Sequence, residues 1–285
     1  MKQQNVMNKL IENLNFTGSF LEQKVHISLV KNPKFVSKRE YPYSTVNVLN
    51  DQMKELIEGT IDILATTMVS GDTALCLCIE CKKADPSVKH WVFELRTTGE
   101  EKYPFVYYDK DADNLNFKKN IFFDSLGYAG MQYFDKAIQA HQLHSEKGIL
   151  SRNQGENVYN AALSANKAVK AFAPAEYKIF QLLNLQDKVN ILFLPVVVTT
   201  ANLWVSKYHH QHVSWDTGEV DPKSLRLEEK DWVHYEFPLS FNLKLADKDT
   251  DEPDKSPTFI VKANKFNRFV KHIINDLPRR VLDFG

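Results

Sequence analysis

Asp62, Glu80 and Lys82 lie in two consecutive apolar runs, 60–69 and 73–82, that read as the two strands of one hairpin. Side chains alternate faces along a strand, so Glu80 and Lys82 point the same way, about 7 Å apart along the chain. Cys76 and Cys78 share their face, and Leu75, Leu77, Ile79 and Cys81 form the apolar one. Pairing across the turn Ser70-Gly71-Asp72 carries Asp62 to the neighbourhood of Glu80. Two carboxylates and an ammonium at one end of an apolar sheet suit phosphodiester hydrolysis. A hard divalent cation prefers oxygen, and Mg²⁺ takes one or two carboxylates together with water and substrate phosphate. Asp62 and Glu80 are candidate ligands, with the main-chain carbonyl of Cys81 as a third oxygen. The metal lowers the pKa of bound water and offsets charge on phosphorus. Lys82 is the candidate to stabilise that charge or orient the attacking water. The same spacing also fits a structural Glu–Lys pair at a strand end, with Asp62 in a turn.

The flanking segments must position these groups. Residues 5–15 read as a short helix, and 19–31 as a helix with Leu21, Val25 and Leu29 along one stripe. Residues 35–46 read as extended, with Pro42 pointing to an edge or irregular strand. Residues 47–57 read as a loop or a short helical excursion. Beyond the hairpin, 84–120 holds a short Trp-Val-Phe run and a charged, turn-rich stretch. Asp124 or Ser125 can cap a helix running through His144, with Leu126, Gly130, Tyr133, Phe134, Ala137 and Ile138 on its apolar face. A second helix is expected over 154–172, stopping near Pro174, and 190–205 reads as buried strand. Residues 215–220 read as a hairpin turn, 233–241 as strand, 244–257 as a solvated loop and 263–277 as a final helix. The plan is α/β (α+β) around one mixed sheet.

The stretches around the three groups, from FLEQKVHISLV through REYPYS and EGTIDILA to LCIECKK and the 124–144 segment, resemble the PD-(D/E)XK nuclease superfamily. The resemblance covers roughly the first half of the chain. It implies a restriction-endonuclease-like αβββαβ core, a central mixed sheet flanked by helices, over about 17–205. A β/α elaboration over about 206–285 would belong to the same single domain, 1–285. The family's acid and its (D/E)-x-K triplet fall on Asp62, Glu80 and Lys82. Ile61 stands where proline is common. Glu22 stands where many members carry a metal-facing glutamate, and Gln132 is the loose counterpart of a helix glutamine. Glu22 has a second reading, because Ser19-Phe20-Leu21-Glu22 is a capping-box sequence in which Glu22 would bond back to the Ser19 amide.

The resemblance further implies Mg²⁺ or Mn²⁺ as cofactor and DNA as substrate, in restriction, defence or repair. Cutting both strands would suit a homodimer, and an activating protein partner is compatible with the sequence. The formal net charge is zero, so no global field draws the chain to polyanions and binding must rest on local patches. Lys83 beside the site, and Lys262, Lys265, Arg268 and Lys271 at every third residue of the last helical segment, are the candidate phosphate contacts. The three cysteines, within six residues of one strand, argue against a disulfide framework. Cys76 and Cys78 face opposite to Cys81, which also argues against zinc. With no long apolar run and no signal-peptide core, the expectation is a cytoplasmic protein without membrane contact. Two rivals stand beside the nuclease: a catalytically silent nuclease-fold protein that binds nucleic acid or a protein partner, and a scaffold with an ordinary ion pair.

Overall fold

The computed structural model describes residues 6–9, 11, 18–50, 53–85, 89–95, 105–109, 114–118, 136–143, 155–238 and 255–276. Helix α1 (Ser19–Val30) is followed by strands β1 (Val36–Asn50), β2 (Met53–Met68), β3 (Thr73–Lys82), β4 (His90–Leu95), β5 (Phe105–Asp109), β6 (Asn114–Lys118) and β7 (Lys136–Leu143). Helices α2 (Gly155–Phe172) and α3 (Tyr177–Leu183) lead to β8 (Asn190–Thr199) and β9 (Asn202–Lys207). Strands β10 (Arg226–Lys230), β11 (Trp232–Pro238) and β12 (Lys255–Lys262) precede helix α4 (Phe266–Asp276).

The strands form one mixed sheet in the order β1-β2-β3-β8-β12-β11-β7-β4-β9-β10, with β5 pairing β6 and β8. The pairs β1–β2 and β2–β3 are antiparallel, and β3–β8 and β8–β12 are parallel. The mixed α+β class is therefore as the sequence implies. The strands of 206–285 join this same sheet, because β12 sits between β8 and β11.

Helices cover both faces. Leu21, Val25 and Leu29 of α1 and Phe266, Phe269 and Ile273 of α4 pack on Leu75, Leu77, Ile79 and Cys81 of β3 and on Val196 and Val198 of β8. On the other face, Val169 and Phe172 of α2 and Ile179 of α3 pack on Cys76, Cys78 and Phe193. Small residues at Ala161, Ala162, Ala165 and Ala168 are fully buried and let α2 lie close to the sheet. The three cysteines are buried and free, on the two faces that alternation assigns them.

Several elements differ from the sequence reading. Residues 47–50 and 53–57, expected as a loop or short helical excursion, are instead the far end of a long β1–β2 hairpin, paired from Val36↔Thr66 out to Asn50↔Met53. Cross-strand pairing overrides a polar, helix-compatible sequence there. The helix expected through His144 is replaced over Lys136–Leu143 by β7, which pairs antiparallel with β4 and parallel with β11. The stretch 190–205 divides into β8 and β9 at Thr200–Ala201. Of the solvated loop expected over 244–257, Lys255, Ser256 and Pro257 belong instead to β12. Most of the expected 124–144 helix, with Gln132, lies outside the described residues, as do 239–254.

Candidate functional site

Strands β2 and β3 form a fork. Their ladder runs from Met68↔Ala74 to Ile63↔Ile79 and stops there. Beyond that level β2 continues beside β1 and β3 continues beside β8 as far as Lys82↔Thr199. The next facing positions are Asp62 and Glu80. The Asp62 carboxylate fills the gap left by the ladder, its Oδ2 accepting the main-chain N–H of Cys81 at 2.6 Å.

The fork coincides with a change of face. Phe35 and Ile63 belong to the core beneath α1, whereas Tyr43 and Ile61 belong to the core beneath α2. The residue facing Asp62 on β1 is Glu40, whose φ of +47° lies in the left-handed region. That region is costly for a residue with a Cβ, and strain of this kind collects at functional sites. With both strands turning at one level, Asp62 sits between the two faces instead of on one.

The side chains of Glu80 and Lys82 share the α2 side, as alternation requires, and the Lys82 Nζ stands 3.0 Å from a Glu80 oxygen. Glu80 is buried. Burial pushes its carboxyl up to about 7, the Asp62 charge pushes the same way, and Lys82 opposes both. Burial also raises Asp62, against the hydrogen bond from Cys81. For Lys82, burial alone would lower the pKa, but the Glu80 and Asp62 carboxylates outweigh it and leave the ammonium above its usual value. The Cys81 thiol is pushed well up by burial and by the surrounding acids, which makes it a poor nucleophile.

Glu22 lies near enough to add negative potential to Asp62 and Glu80. The capping box does not form: α1 starts from Gly18, at φ +76°, and no side chain caps it. Glu22 instead meets Arg39 of β1, 3.4 Å from Nη2 to Oε2. Arg39 was not evident from sequence, nor was Tyr43, whose hydroxyl pKa is raised by burial and then by Glu80. Tyr43 faces Gly59 across the hairpin, and a Cβ at Gly59 would fall 2.6 Å from its oxygen.

The last helical segment divides. Lys262 pairs with Glu229, while Lys265 and Arg268 converge on Asp231 at 3.3 and 2.9 Å. Arg268 also lies over the Trp232 ring. Lys271 instead lines a cavity between α1 and α4, and Lys83 lines a second one that adjoins it.

Among the described residues, no three His, Cys, Asp or Glu side chains come together as a metal-holding group. The donors at the fork are the carboxylates of Asp62 and Glu80 and the carbonyl of Cys81. Among the described residues no helix is long and apolar enough to cross a membrane. No family model matches the chain, and no curated protein or solved structure matches it.

Proposed function

We propose that the protein is a metal-dependent nuclease that hydrolyses DNA phosphodiester bonds, with Asp62, Glu80 and Lys82 as its working groups. The observation that carries this reading is the fork itself. Two carboxylates face one another where β2 and β3 part, one of them is buried, and an ammonium stands 3.0 Å from it. The strand order β1-β2-β3-β8, with an antiparallel hairpin and a parallel fourth strand reached through α2, supports the restriction-endonuclease-like core that the motif resemblance implies.

The donor set fits a hard cation. Mg²⁺ needs only one or two carboxylates when water and phosphate complete its shell. Asp62 keeps one oxygen beyond its bond to Cys81, and Glu80 keeps one beyond its contact with Lys82. The Asp62 charge raises Glu80 and the Glu22 charge raises Asp62, a crowding of negative charge that a cation at the fork would relieve. Bound there, Mg²⁺ or Mn²⁺ would supply an acidified water and charge neutralisation at phosphorus. Lys82, held by Glu80, would place its charge beside the scissile phosphate. Asp62 is fixed by the main chain of the neighbouring strand, so its free oxygen is aimed without a large entropy loss. Cleavage of both strands would bring in a second copy of the chain.

The test is cleavage of plasmid and linear duplex DNA with Mg²⁺ or Mn²⁺ by wild type, Glu80→Ala and Lys82→Ala. Metal-dependent cutting lost in both folded variants is the expected result. A wild type that neither cuts nor takes up metal by calorimetry overturns the reading. The lack of a third acidic ligand among the described residues favours one alternative, a silent nuclease-fold binder. Nucleic-acid binding with no metal uptake would establish it.

A further inference from the structure

The face of the sheet that carries α1 and α4 holds a continuous groove between these helices. Its lower part is a cavity of about 660 Å³ lined by Lys24, Lys31, Lys34 and Lys271 over an apolar floor that includes Ile27 and Ile274. Its upper part, about 370 Å³, shares Lys24, Ser28 and Asn267 with the lower one and reaches Phe20 and Lys83. Lys83 follows Lys82 directly, and the amide of Thr200, which lines the same part, donates to the Lys82 carbonyl at 3.3 Å. The groove therefore reaches the strand end that bears the candidate catalytic groups, with Asp62 between the two faces and the Glu80 and Lys82 side chains on the far one.

Its charge is one-sided. No Asp or Glu lines either part among the described residues. This sets it apart from Lys262, Lys265 and Arg268, whose charges are met by Glu229 and Asp231. In a chain of zero net charge, Lys24, Lys31, Lys34 and Lys271 along one groove, with no opposing acid in its lining among the described residues, form a local anion-attracting track. Phe20 stands half exposed at the upper end, a large ring presented to solvent.

We infer that this groove holds a single strand of nucleic acid, with phosphates along the lysine rims and bases against Phe20 and the apolar floor. Lysine rails with aromatic platforms are how single strands are gripped without sequence readout, because every base has a face that can stack. A duplex offers phosphates but no free base faces, so it would leave the floor and the Phe20 ring unused. Along α1 the groove spans about 20 Å from the helical rise. That accommodates about four nucleotides, the short end of known single-strand footprints. The choice of nucleic acid over another polyanion rests on the nuclease reading of the adjoining fork, and the groove would guide one strand toward it or away from it.

The test is fluorescence anisotropy with a labelled 20-nucleotide thymidine oligomer in EDTA, so that binding is read without metal or cleavage. Lys24→Gln/Lys271→Gln is expected to weaken binding about tenfold and to reduce the salt slope by about 1.4, from about 0.7 per lost phosphate contact on a single strand. Phe20→Ala is expected to weaken binding about fivefold or more while leaving that slope alone. Thermal melts confirm that each exposed substitution leaves the fold intact. Binding unchanged in the double variant overturns the inference, as does poly-glutamate or a duplex competing as well as the oligomer. A wild type that cuts DNA but does not use these lysines defeats the groove and leaves the nuclease. A wild type that grips the strand through them but cuts nothing defeats the nuclease and leaves the groove.

Discussion

The Asp62 carboxylate accepts the Cys81 amide at 2.6 Å, at the level where β2 and β3 separate. A side chain thus takes over the role a carbonyl plays in the rest of the ladder. The acid is thereby tied to the strand that carries Glu80 and Lys82. Structure and chemistry make separable demands on Asp62, one for an acceptor and one for a charge.

Asp62→Ala leaves a largely buried amide without its partner and is expected to destabilise the protein by about 1–3 kcal/mol. Asp62→Asn keeps an acceptor and removes the charge. It should hold stability within about 1 kcal/mol of wild type while abolishing metal uptake. Denaturant unfolding and calorimetric metal titration, run on both variants, separate the two demands. Equal loss of stability in both variants would show that the charge itself holds the fork.

The pH dependence of stability has a definite sign. Glu80 is raised from 4.5 to about 7, chiefly by burial, with Asp62 adding and Lys82 opposing. Between those values the folded protein keeps a proton that the unfolded chain has released. Metal-free stability from this group therefore falls as pH rises from about 4.5 to 7 and levels off above it. Glu80→Gln has no such proton to lose, so its stability relative to wild type should rise across the same window. Chemical denaturation of both proteins from pH 4 to 8.5 reads this directly. A flat difference would mean that Glu80 ionises normally.

Much of this site was legible because strands impose a period of two. Alternation alone puts Glu80 with Lys82 and separates Cys76 and Cys78 from Cys81, as the packing shows. The turn at Ser70–Asp72 was legible from residue type, and the Val69 N–H indeed donates to the Thr73 carbonyl across it. The exchange of faces at Glu40 and Asp62 was not, since nothing local in Arg-Glu-Tyr marks a left-handed backbone. Strand β7 was hidden for a different reason. Its Gln142 is buried and its apolar residues do not alternate cleanly, so only pairing with β4 and β11 makes it a strand. Nothing local marks Lys24, Lys31 and Lys34, which share a groove only because α4 closes its other side.

Gly59 is needed by its neighbour. The Tyr43 ring lies over it and packs edge-on against Phe172 at 6.3 Å, so the ring has little room to withdraw. Gly59→Ala would put a methyl 2.6 Å from the tyrosine oxygen and is expected to cost about 1–3 kcal/mol. Because Tyr43 stands near Glu80, the strain should also lower activity. Tyr43→Leu in the same chain should recover part of the stability. Unfolding curves of the single and double variants measure that coupling, and simple additivity would rule out the contact as its source.

The cation stripe of the last helix is expected to matter less for nucleic acid than its sequence suggests. Asp231 receives both Lys265 and Arg268, so these two charges are already partly compensated. Arg268 is well exposed, and an exposed pair of this kind contributes about 0–1 kcal/mol to stability. Arg268→Gln should therefore change neither stability nor oligonucleotide affinity by more than about twofold, because the charge it removes was partly cancelled. Asp231→Asn is the sharper variant. It uncovers two cations at once and should tighten binding at low salt, steepening the salt slope by up to about 1.4 on a single strand. Affinity measured across a salt series for the two variants decides the point. If Arg268→Gln instead weakens binding as strongly as loss of Lys24 and Lys271, the strand lies across the outer side of α4 and not in the groove on its inner side.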